Sequence, residues 1–408
     1  MTTTRVRVGG LERQFPRHLT NTGGLRQKQG MLSKNREKNR IRFALIGCGR
    51  VATRHCDALK ASRYAELVGV ADLDGARAQQ LGETYDVPYF TNYHAMLAAV
   101  NDVDVVSIIT PSGVHFDHAV DLLDNYPVHV MIEKPVVMTP DQGEKLRALA
   151  QAKKKSIFPV FQNRFNKAVQ RVRAGMQDGG ELGNLRVGTV RMRWCRPQRY
   201  YDLSQWRGRW SMDGGALTNQ GIHYIDILRY LGGDVKRVCA KAATLGANIE
   251  VEDTAVAVLE FQSGALGVIE AMTSARPDDF EASVSCVGAQ GLAVISGIAT
   301  NELQTFSPAP QEAGRFSEVF PTVYGFGHNS VVDQVGATLL ALAKGETPNT
   351  ALQPVTFEDA LGTIDLLHAI YRSDEIGTWV DLKDRPRSTR LGRPEPARSQ
   401  PYLTPFQK

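Results

Sequence analysis

A single glycine-rich turn constrains the fold of this chain more than any other feature. The turn follows the apolar run 42–47, precedes a helical pattern over 51–62, and reads Gly47, Cys48, Gly49, Arg50, Val51, Ala52. In such a turn the first glycine bends the chain, the second admits a pyrophosphate against the backbone, and the alanine lets the helix pack closely on the strand. The sequence therefore predicts a dinucleotide site that includes Gly47, Gly49, Arg50 and Val51.

A carboxylate follows where such a site reads the ribose. Asp72 ends the apolar run 66–72, 25 residues after Gly47. An acid at this position bonds the ribose hydroxyls and repels a 2′-phosphate, which predicts NAD as the cofactor. Arg50 and Arg77 could accept a phosphate and keep NADP open as the alternative.

The order of apolar runs and helical patterns predicts two domains. From 41 to about 155, strand-sized runs alternate with helical stretches, which predicts a buried parallel sheet in a Rossmann domain over 41–160. After about 160, four helical patterns surround longer strands joined by turns. We therefore expect an α/β fold in which 161–381 forms an α+β domain with a largely antiparallel sheet.

Charge separates the two ends of the chain from its body. The net charge is +8 over 1–40, +5 over 382–408 and −8 over 41–381. We expect 1–40 to be a disordered basic leader and 382–408 a disordered tail rich in proline and arginine. Because Met31 precedes the first strand, we expect 1–30 to reflect an overlong translation start, with a mitochondrial presequence as the alternative. An acidic body argues against nucleic-acid binding.

Cysteine usage and hydropathy bear on the compartment. The five cysteines are scattered and form no Cys-x-x-Cys pair, which argues against a disulfide framework or a structural zinc site. No apolar run reaches the roughly 18 residues of a membrane helix. We expect a cytoplasmic protein with no membrane partner and no metal.

Two segments fall at the carboxyl edge of the predicted parallel sheet. One is Thr110-Pro111 with His115 nearby, and the other is Glu133-Lys134. Cofactors and substrates of doubly wound folds bind at this edge, where desolvation lowers the pKa of a lysine. The plain alternatives are a core histidine at 115 and a structural lysine at 134.

Together these features resemble the Gfo/Idh/MocA family of NAD(P)-dependent oxidoreductases. The resemblance covers about 41–381 and includes the EKP tripeptide at 133–135 and the GGALTNQGIHYIDIL stretch at 214–228. It implies an open-faced sheet in the second domain, through which a homodimer or homotetramer forms. It also implies that Lys134, before a cis bond to Pro135, lies between nicotinamide and substrate. On the same grounds Thr110, Pro111, His115 and Glu133 are expected at the cofactor.

Shorter motifs resemble one branch of that family, the UDP-N-acetyl-2-amino-2-deoxyglucuronate 3-dehydrogenases. These are QNRFN at 162–166, RPQRYYD at 196–202, WRG at 206–208 and VEDT at 251–254. The branch serves nucleotide-sugar pathways of surface polysaccharides such as O-antigen. The resemblance implies substrate contacts by Gln162, Arg164, Asn166, Arg196, Tyr200 and Arg207.

The residues themselves agree with an anionic substrate. Residues 191–209 hold six arginines and one acid, Asp202, and guanidinium groups bind diphosphates and carboxylates through paired hydrogen bonds. The alternative is an oligomer interface, or exposed arginines paired with surface acids.

Asn219 and His223 are four residues apart on one predicted helix and should face the same way. The resemblance places the histidine in the active site, but many family members carry aspartate where this chain has Asn219. A neutral amide only orients the imidazole, whereas a carboxylate also stabilises its cation. Lys134 and His223 therefore both stay candidates for the general base.

The sequence as a whole predicts an enzyme. We expect NAD-dependent oxidation of the C3 hydroxyl of a UDP-N-acetyl-hexosaminuronic acid to the 3-keto sugar. Two alternatives stay open: a dehydrogenase of a free sugar or inositol, and a non-catalytic NAD-sensing regulatory protein.

Overall fold

The computed structural model describes residues 39–177, 179–297, 299–320, 324–349 and 353–403. The predictions for the basic leader and for a start at Met31 concern residues that lie almost entirely outside these ranges. Within them, no helix has both the length and the apolar character needed to cross a bilayer.

Six parallel strands form the first sheet, in the order β3-β2-β1-β4-β5-β6. The strands are β1 (Ile41–Ile46), β2 (Ala65–Ala71), β3 (Tyr89–Phe90), β4 (Val105–Ile108), β5 (His129–Ile132) and β6 (Ile157–Pro159). The helices between them are α1 (Ala52–Ala61), α2 (Gly75–Tyr85), α3 (Tyr93–Ala99), α4 (His115–Asn125) and α5 (Pro140–Lys153). All four residues of β4 are buried, as continuous apolar runs predict for a sheet covered on both faces. The strand order reverses between β1 and β4, which opens a crevice at the carboxyl ends of these strands.

Eight strands form the second sheet, in the order β13-β12-β11-β7-β10-β9-β8-β14. The strands are β7 (Leu185–Arg193), β8 (Val235–Ala243), β9 (Thr254–Phe261), β10 (Leu266–Met272), β11 (Glu281–Gly288), β12 (Leu292–Ser296), β13 (Glu302–Phe306) and β14 (Val380–Asp381). Only the β7–β10 pair is parallel, and the other pairs are antiparallel. A parallel sheet followed by a mostly antiparallel one confirms the predicted fold class.

The remaining helices are α6 (Lys167–Met176), α7 (Gln198–Asp202), α8 (Ile222–Gly232), α9 (Glu312–Phe316), α10 (Gly327–Ala343), α11 (Phe357–Ile376) and α12 (Pro396–Ser399). Helices α8 and α11 contact the second sheet. Its strands alternate buried with exposed residues, as in β9, where Val256 and Val258 are exposed. This pattern is typical of a sheet that is covered on one face only.

Helix α10 belongs by its position in the chain to the predicted second domain, after residue 160, but it packs against the first sheet. Its residues Val331, Val335 and Leu339 share one buried cluster with Phe43 of β1 and Leu59 of α1. Residue 160 lies between the last strand of the first sheet and the first strand of the second. A division at that residue nevertheless groups this helix with the second sheet, although it covers the first. Local periodicity shows that a helix has an apolar face without showing what that face will meet.

The segment after residue 381 differs from the predicted disordered tail. Residues 382–403 include a short 3₁₀ turn (Leu382–Asp384), helix α12 and a second 3₁₀ turn (Gln400–Tyr402). Leu391 is buried, and Arg390 pairs with Asp374. Prolines limit regular structure here to one short helix, and side-chain ion pairs and one buried leucine hold the rest of the segment.

Candidate active site

A cavity of about 620 Å³ lies at the carboxyl edge of the first sheet and is closed on its other side by the turn that precedes α8. Most of the predicted site residues line it. They are Gly47, Gly49, Arg50, Val51, Asp72, Thr110, Pro111, His115, Glu133, Lys134, Gln162, Arg196, Tyr200, Arg207, Asn219 and His223. Arg164 and Asn166 do not.

The glycine-rich turn has the shape that a dinucleotide requires. Gly47 has a φ of +94°, and a Cβ there would lie 2.6 Å from the carbonyl oxygen of Ile109. Around Gly49 no atom lies within 4 Å of the position of a Cβ, so the backbone is open to a pyrophosphate. The Asp72 carboxylate accepts the N–H groups of Cys48 at 2.6 Å and Asp74 at 2.8 Å. Asp72 therefore holds the turn as well as facing the cavity, and these residues fit NAD.

The loop after β4 is held by two histidines. The ring nitrogens of His115 lie 2.8 Å from the carbonyl oxygens of Thr110 and Pro135. His115 thus joins the loop after β4 to the loop after β5, in agreement with the core-histidine alternative. His118, which the sequence analysis did not single out, lies 3.0 Å from the Thr110 hydroxyl.

Lys134 lies inside the cavity, before a cis bond to Pro135. Its ammonium group donates to the carbonyl oxygen of Asn219 at 2.7 Å. Asn219 belongs to a wide, π-type helical turn over Leu217–Gly221, and such turns recur at functional sites. Burial lowers the pKa of Lys134 although Glu133 and Asp213 oppose the shift, so the amine is a proton acceptor closer to neutral pH than an exposed lysine.

Asp213 is a further acid beside Lys134 that the sequence analysis missed. Its carboxylate accepts the N–H of Arg209 and the side-chain amide of Asn219, both at 3.0 Å. Burial raises the pKa of Asp213 to about 7. The chain thus supplies a carboxylate next to Asn219 although position 219 is neutral, and no local signal marks an aspartate six residues upstream for that role.

His223 lines the same wall of the cavity as Asn219. Burial, with the nearby charge of Lys134, lowers the pKa of His223 to about 3. Its Nδ1 has no hydrogen-bond partner among the described residues. The imidazole is therefore neutral at physiological pH and a poor proton acceptor there, which makes it a weaker candidate for the general base than Lys134.

Glu133 lies at the centre of a buried cluster. Its Oε1 lies 2.9 Å from Nε2 of His55 and 3.5 Å from Nε2 of His328, and its Oε2 accepts the N–H of Lys134. Burial alone would raise the pKa of Glu133, but the two histidines outweigh it and hold the pKa well below its usual range. A fixed negative charge therefore lies directly behind Lys134.

Part of the cavity wall is cationic and aromatic. The guanidinium of Arg207 lies 4.1 Å from the ring centre of Tyr200, and that of Arg196 lies 4.7 Å from the ring centre of Trp194. The amide oxygen of Gln162 is buried without a partner among the described residues. The cavity lining therefore suits an anion attached to a ring, and Gln162 offers an acceptor for a hydrogen-bond donor.

The predicted six-arginine patch shrinks to these two in the structure. Arg193 pairs with Glu270 at 2.6 Å, Arg191 lies near Glu281, and Arg209 near Glu250. Arg199 is exposed outside the cavity. For these four arginines the alternative of surface pairing or simple exposure agrees better with the structure.

Two residues predicted to contact substrate are structural instead. The buried Arg164 guanidinium donates to the Asp226 carboxylate from Nε and from Nη2, each at 2.6 Å. Its Nη1 contacts the Asp359 carboxylate. The side-chain amide of Asn166 donates to the carbonyl oxygen of Ala299 at 2.7 Å. Their motif neighbour Gln162 reaches the cavity, but the 3₁₀ turn over Gln162–Phe165 directs Arg164 into the core.

Other cavity residues come from distant parts of the chain. Tyr324 follows strand β13, and Pro401 and Tyr402 belong to the C-terminal segment. Neither segment carries a motif, so no signal in the sequence would have found these residues.

Comparison with known proteins agrees with this geometry. Residues 41–161 match the model of the oxidoreductase family with an NAD-binding Rossmann fold, and residues 169–294 match the GFO/IDH/MocA C-terminal domain. The WlbA dehydrogenase from Chromobacterium violaceum is 35% identical, covers 84% of this chain and 96% of its own, and superposes with a TM-score of 0.74. The chain belongs to the Gfo/Idh/MocA family. It is an NAD-dependent oxidoreductase of that family, as its glycine-rich turn and Asp72 predicted.

A second WlbA dehydrogenase is similar to this chain, and so are relatives that are named for other sugars. The WlbA dehydrogenase from Bordetella pertussis is 33% identical over 84% of this chain and 98% of its own, with a TM-score of 0.75. Both WlbA structures hold NADH and UDP-GlcNAcA. The D-apiose dehydrogenase of Paraburkholderia graminis is 27% identical over 84% of this chain and 90% of its own. The D-glucoside 3-dehydrogenase of Escherichia coli is 32% identical over 55% and 68%.

Proposed function

We propose that this NAD-dependent sugar dehydrogenase oxidises the C3 hydroxyl of a UDP-N-acetyl-hexosaminuronic acid to the 3-keto sugar. One observation carries the proposal: a single cavity is lined both by a buried lysine amine and by Arg196, Arg207 and Tyr200. A proton acceptor thus faces a site for an anionic, ring-bearing group. The two WlbA relatives bound to UDP-GlcNAcA support the same substrate class.

Lys134 takes the hydroxyl proton in this proposal. Bound NAD supplies the hydride acceptor at the carboxyl edge of the first sheet. The neutral amine of Lys134 accepts the proton of the sugar hydroxyl and, as an ammonium group, stabilises the charge that develops on the oxygen. Asn219 holds the amine through its carbonyl oxygen, and the Glu133 carboxylate behind it stabilises the ammonium form.

Arg196 and Arg207 bind the anionic groups of the substrate. Arg196 is anchored by Asp279 at 2.7 Å, and Arg207 donates to the carbonyl oxygen of Tyr200. Both guanidinium groups keep further N–H donors and lie against aromatic rings, which preorganises them for diphosphate or carboxylate.

A substrate panel tests the proposal. UDP-N-acetylglucosaminuronic acid, UDP-N-acetylglucosamine, free glucuronic acid and myo-inositol are each incubated with enzyme and NAD, and NADH is followed at 340 nm. We expect turnover with the UDP-sugar acid and a ketone at C3 in the NMR spectrum. Turnover with the free sugars alone would establish the alternative that the D-apiose and D-glucoside relatives favour. NAD binding without turnover of any substrate would favour a regulatory protein.

The exposed face of the second sheet supports a homo-oligomer. Val258 lies opposite Val268 in the β9–β10 register, and both side chains are exposed. Leu266 on β10 extends the same apolar face beside Val187 of β7. A second copy of the chain would cover this surface in a homodimer or homotetramer.

A further inference from the structure

The C-terminal strap, residues 385–403, runs from helix α11 to the cofactor end of the cavity. It is first fixed to α11. Arg390 donates to Asp374 at 2.6 Å, the hydroxyl of Ser388 donates to Glu375 at 2.6 Å, and Leu391 is 2% exposed. These contacts combine charged hydrogen bonds with apolar burial, so this part of the strap has a fixed course.

The middle of the strap is fixed to the segment that follows α7. Gly392 donates its N–H to the carbonyl oxygen of Trp210 at 2.9 Å, and Glu395 accepts the hydroxyl of Ser211 at 3.0 Å. Gly392 has a φ of +72°, and a Cβ there would lie 2.5 Å from a methyl carbon of Thr139. The chain passes through a space that only glycine fits, which sets the direction in which the strap leaves.

The strap ends against the residues that read the dinucleotide. Pro401 and Tyr402 line the cavity together with Asp72 and Arg77. The His118 ring interacts with the backbone of Tyr402, and its Nδ1 lies 3.0 Å from the Thr110 hydroxyl. Burial raises the pKa of Tyr402 while the charge of Arg77 opposes the shift, which places the phenol near this guanidinium.

We propose that Tyr402 and Pro401 belong to the NAD site and hold the adenosine half of the cofactor against the Asp72 side of the crevice. The ring of Tyr402 is half-buried and lines the cavity together with Asp72. Such a ring stacks on a nucleobase with little loss of side-chain freedom. Because the strap is anchored elsewhere, its end closes the site without depending on the sugar substrate.

NADH binding to the full chain tests the proposal without any sugar. The dissociation constant is measured by NADH fluorescence, and the dissociation rate by stopped-flow displacement with excess NAD. We expect Tyr402→Ala to raise both roughly ten-fold, as loss of one base-stacking ring does. Tyr402→Phe, which keeps the ring, should recover most of the affinity. Gln400→Ala is the matched control, because Gln400 begins the same 3₁₀ turn but is exposed and does not line the cavity.

Deletion of residues 401–408 is the second variant. It leaves Arg390, Leu391 and Glu395 in place, so the melting temperature without cofactor should stay that of the full chain. We expect the deletion to match Tyr402→Ala in NADH release. Tighter binding after the deletion would mean that the strap obstructs the site, and unchanged binding in both variants would place Tyr402 outside it; either result overturns the proposal. Loss of UDP-sugar turnover alone would instead bear on the proposed substrate.

Discussion

At the scale of single residues, the site depends on the balance of charge around one amine. Burial lowers the pKa of Lys134, while Glu133 and Asp213 oppose that shift. Burial favours the neutral amine, which accepts the proton. The two carboxylates stabilise the ammonium cation that forms during the reaction. His223 has a pKa lowered to about 3, so its ring stays neutral at physiological pH.

Replacement of the amine should therefore stop the chemical step. We expect Lys134→Met to reduce the single-turnover rate of hydride transfer by ~10²–10⁴-fold, while NADH affinity changes little because the glycine-rich turn and Asp72 are untouched. His223→Gln should reduce the rate less. Near-full turnover of Lys134→Met together with an inactive His223→Gln would make the histidine the base.

Asp213 should set the pH at which the enzyme becomes active. A deprotonated Asp213 attracts the Lys134 cation and raises its pKa, so Asp213→Asn removes this attraction and lowers the pKa of the lysine. We expect the rise of kcat/KM with pH to have its midpoint below 10.5 and to move to lower pH in Asp213→Asn. Asp202→Asn is the control, since Asp202 is exposed and does not line the cavity. A midpoint that stays, or moves to higher pH, would contradict the role of Asp213.

At the scale of elements, one buried ion-pair network ties three segments together. Arg164 leaves the 3₁₀ turn after β6 and contacts Asp226 of α8 and Asp359 of α11, and Arg229 of α8 contacts Asp359 as well. Burial disfavours the charged form of Arg164, but the two aspartates outweigh it and raise its pKa. The helix that carries His223 is therefore held in place by buried ion pairs to two other segments.

This network makes Arg164 a stability residue. Arg164→Met leaves Asp226 buried without its partner, which typically destabilises by about 3–5 kcal/mol. We expect the urea midpoint of unfolding to fall accordingly, with an unchanged KM for sugar in the folded fraction. The exposed Arg199→Met should change stability by less than about 0.5 kcal/mol. A raised KM with unchanged stability would restore Arg164 to the substrate site.

At the scale of the whole molecule, the apolar face of the second sheet is the surface that most needs a partner. Val258 and Val268 form a cross-strand pair in register, and the part of the chain that the structure describes leaves both side chains exposed. Exposed faces of this kind mark contacts between subunits.

A charge on this face should therefore separate the subunits. We expect the wild-type chain to sediment as a dimer or tetramer and Val258→Lys to sediment as a monomer of unchanged secondary structure. Val319→Lys is the control, because Val319 is 95% exposed and belongs to no strand of that sheet among the described residues. If Val258→Lys keeps the wild-type sedimentation coefficient, another surface forms the oligomer.

What the sequence alone determined lies in short, contiguous stretches. The turn at 47–52, Asp72, the EKP tripeptide and the Asn219–His223 pair were all predicted, and each contributes residues to the lining of one cavity. They were predictable because strand and helix periodicities, a glycine-rich turn and the carboxyl edge of a parallel sheet are local features. The α/β fold follows from the same local patterns.

What only the tertiary structure decided are pairings between distant residues. Arg164 and Asp226 are 62 positions apart, and Arg164 and Asp359 are 195 apart, so the motif around Arg164 could not show that its charge is used inside the core. Asp213 reaches Asn219 only because the chain turns back before α8. The strap looked like a disordered tail because its order comes from partners such as Asp374 and Trp210, rather than from any period of its own. Charge and apolar content give each segment a preference, but the partner that satisfies it is fixed only when the whole chain has packed.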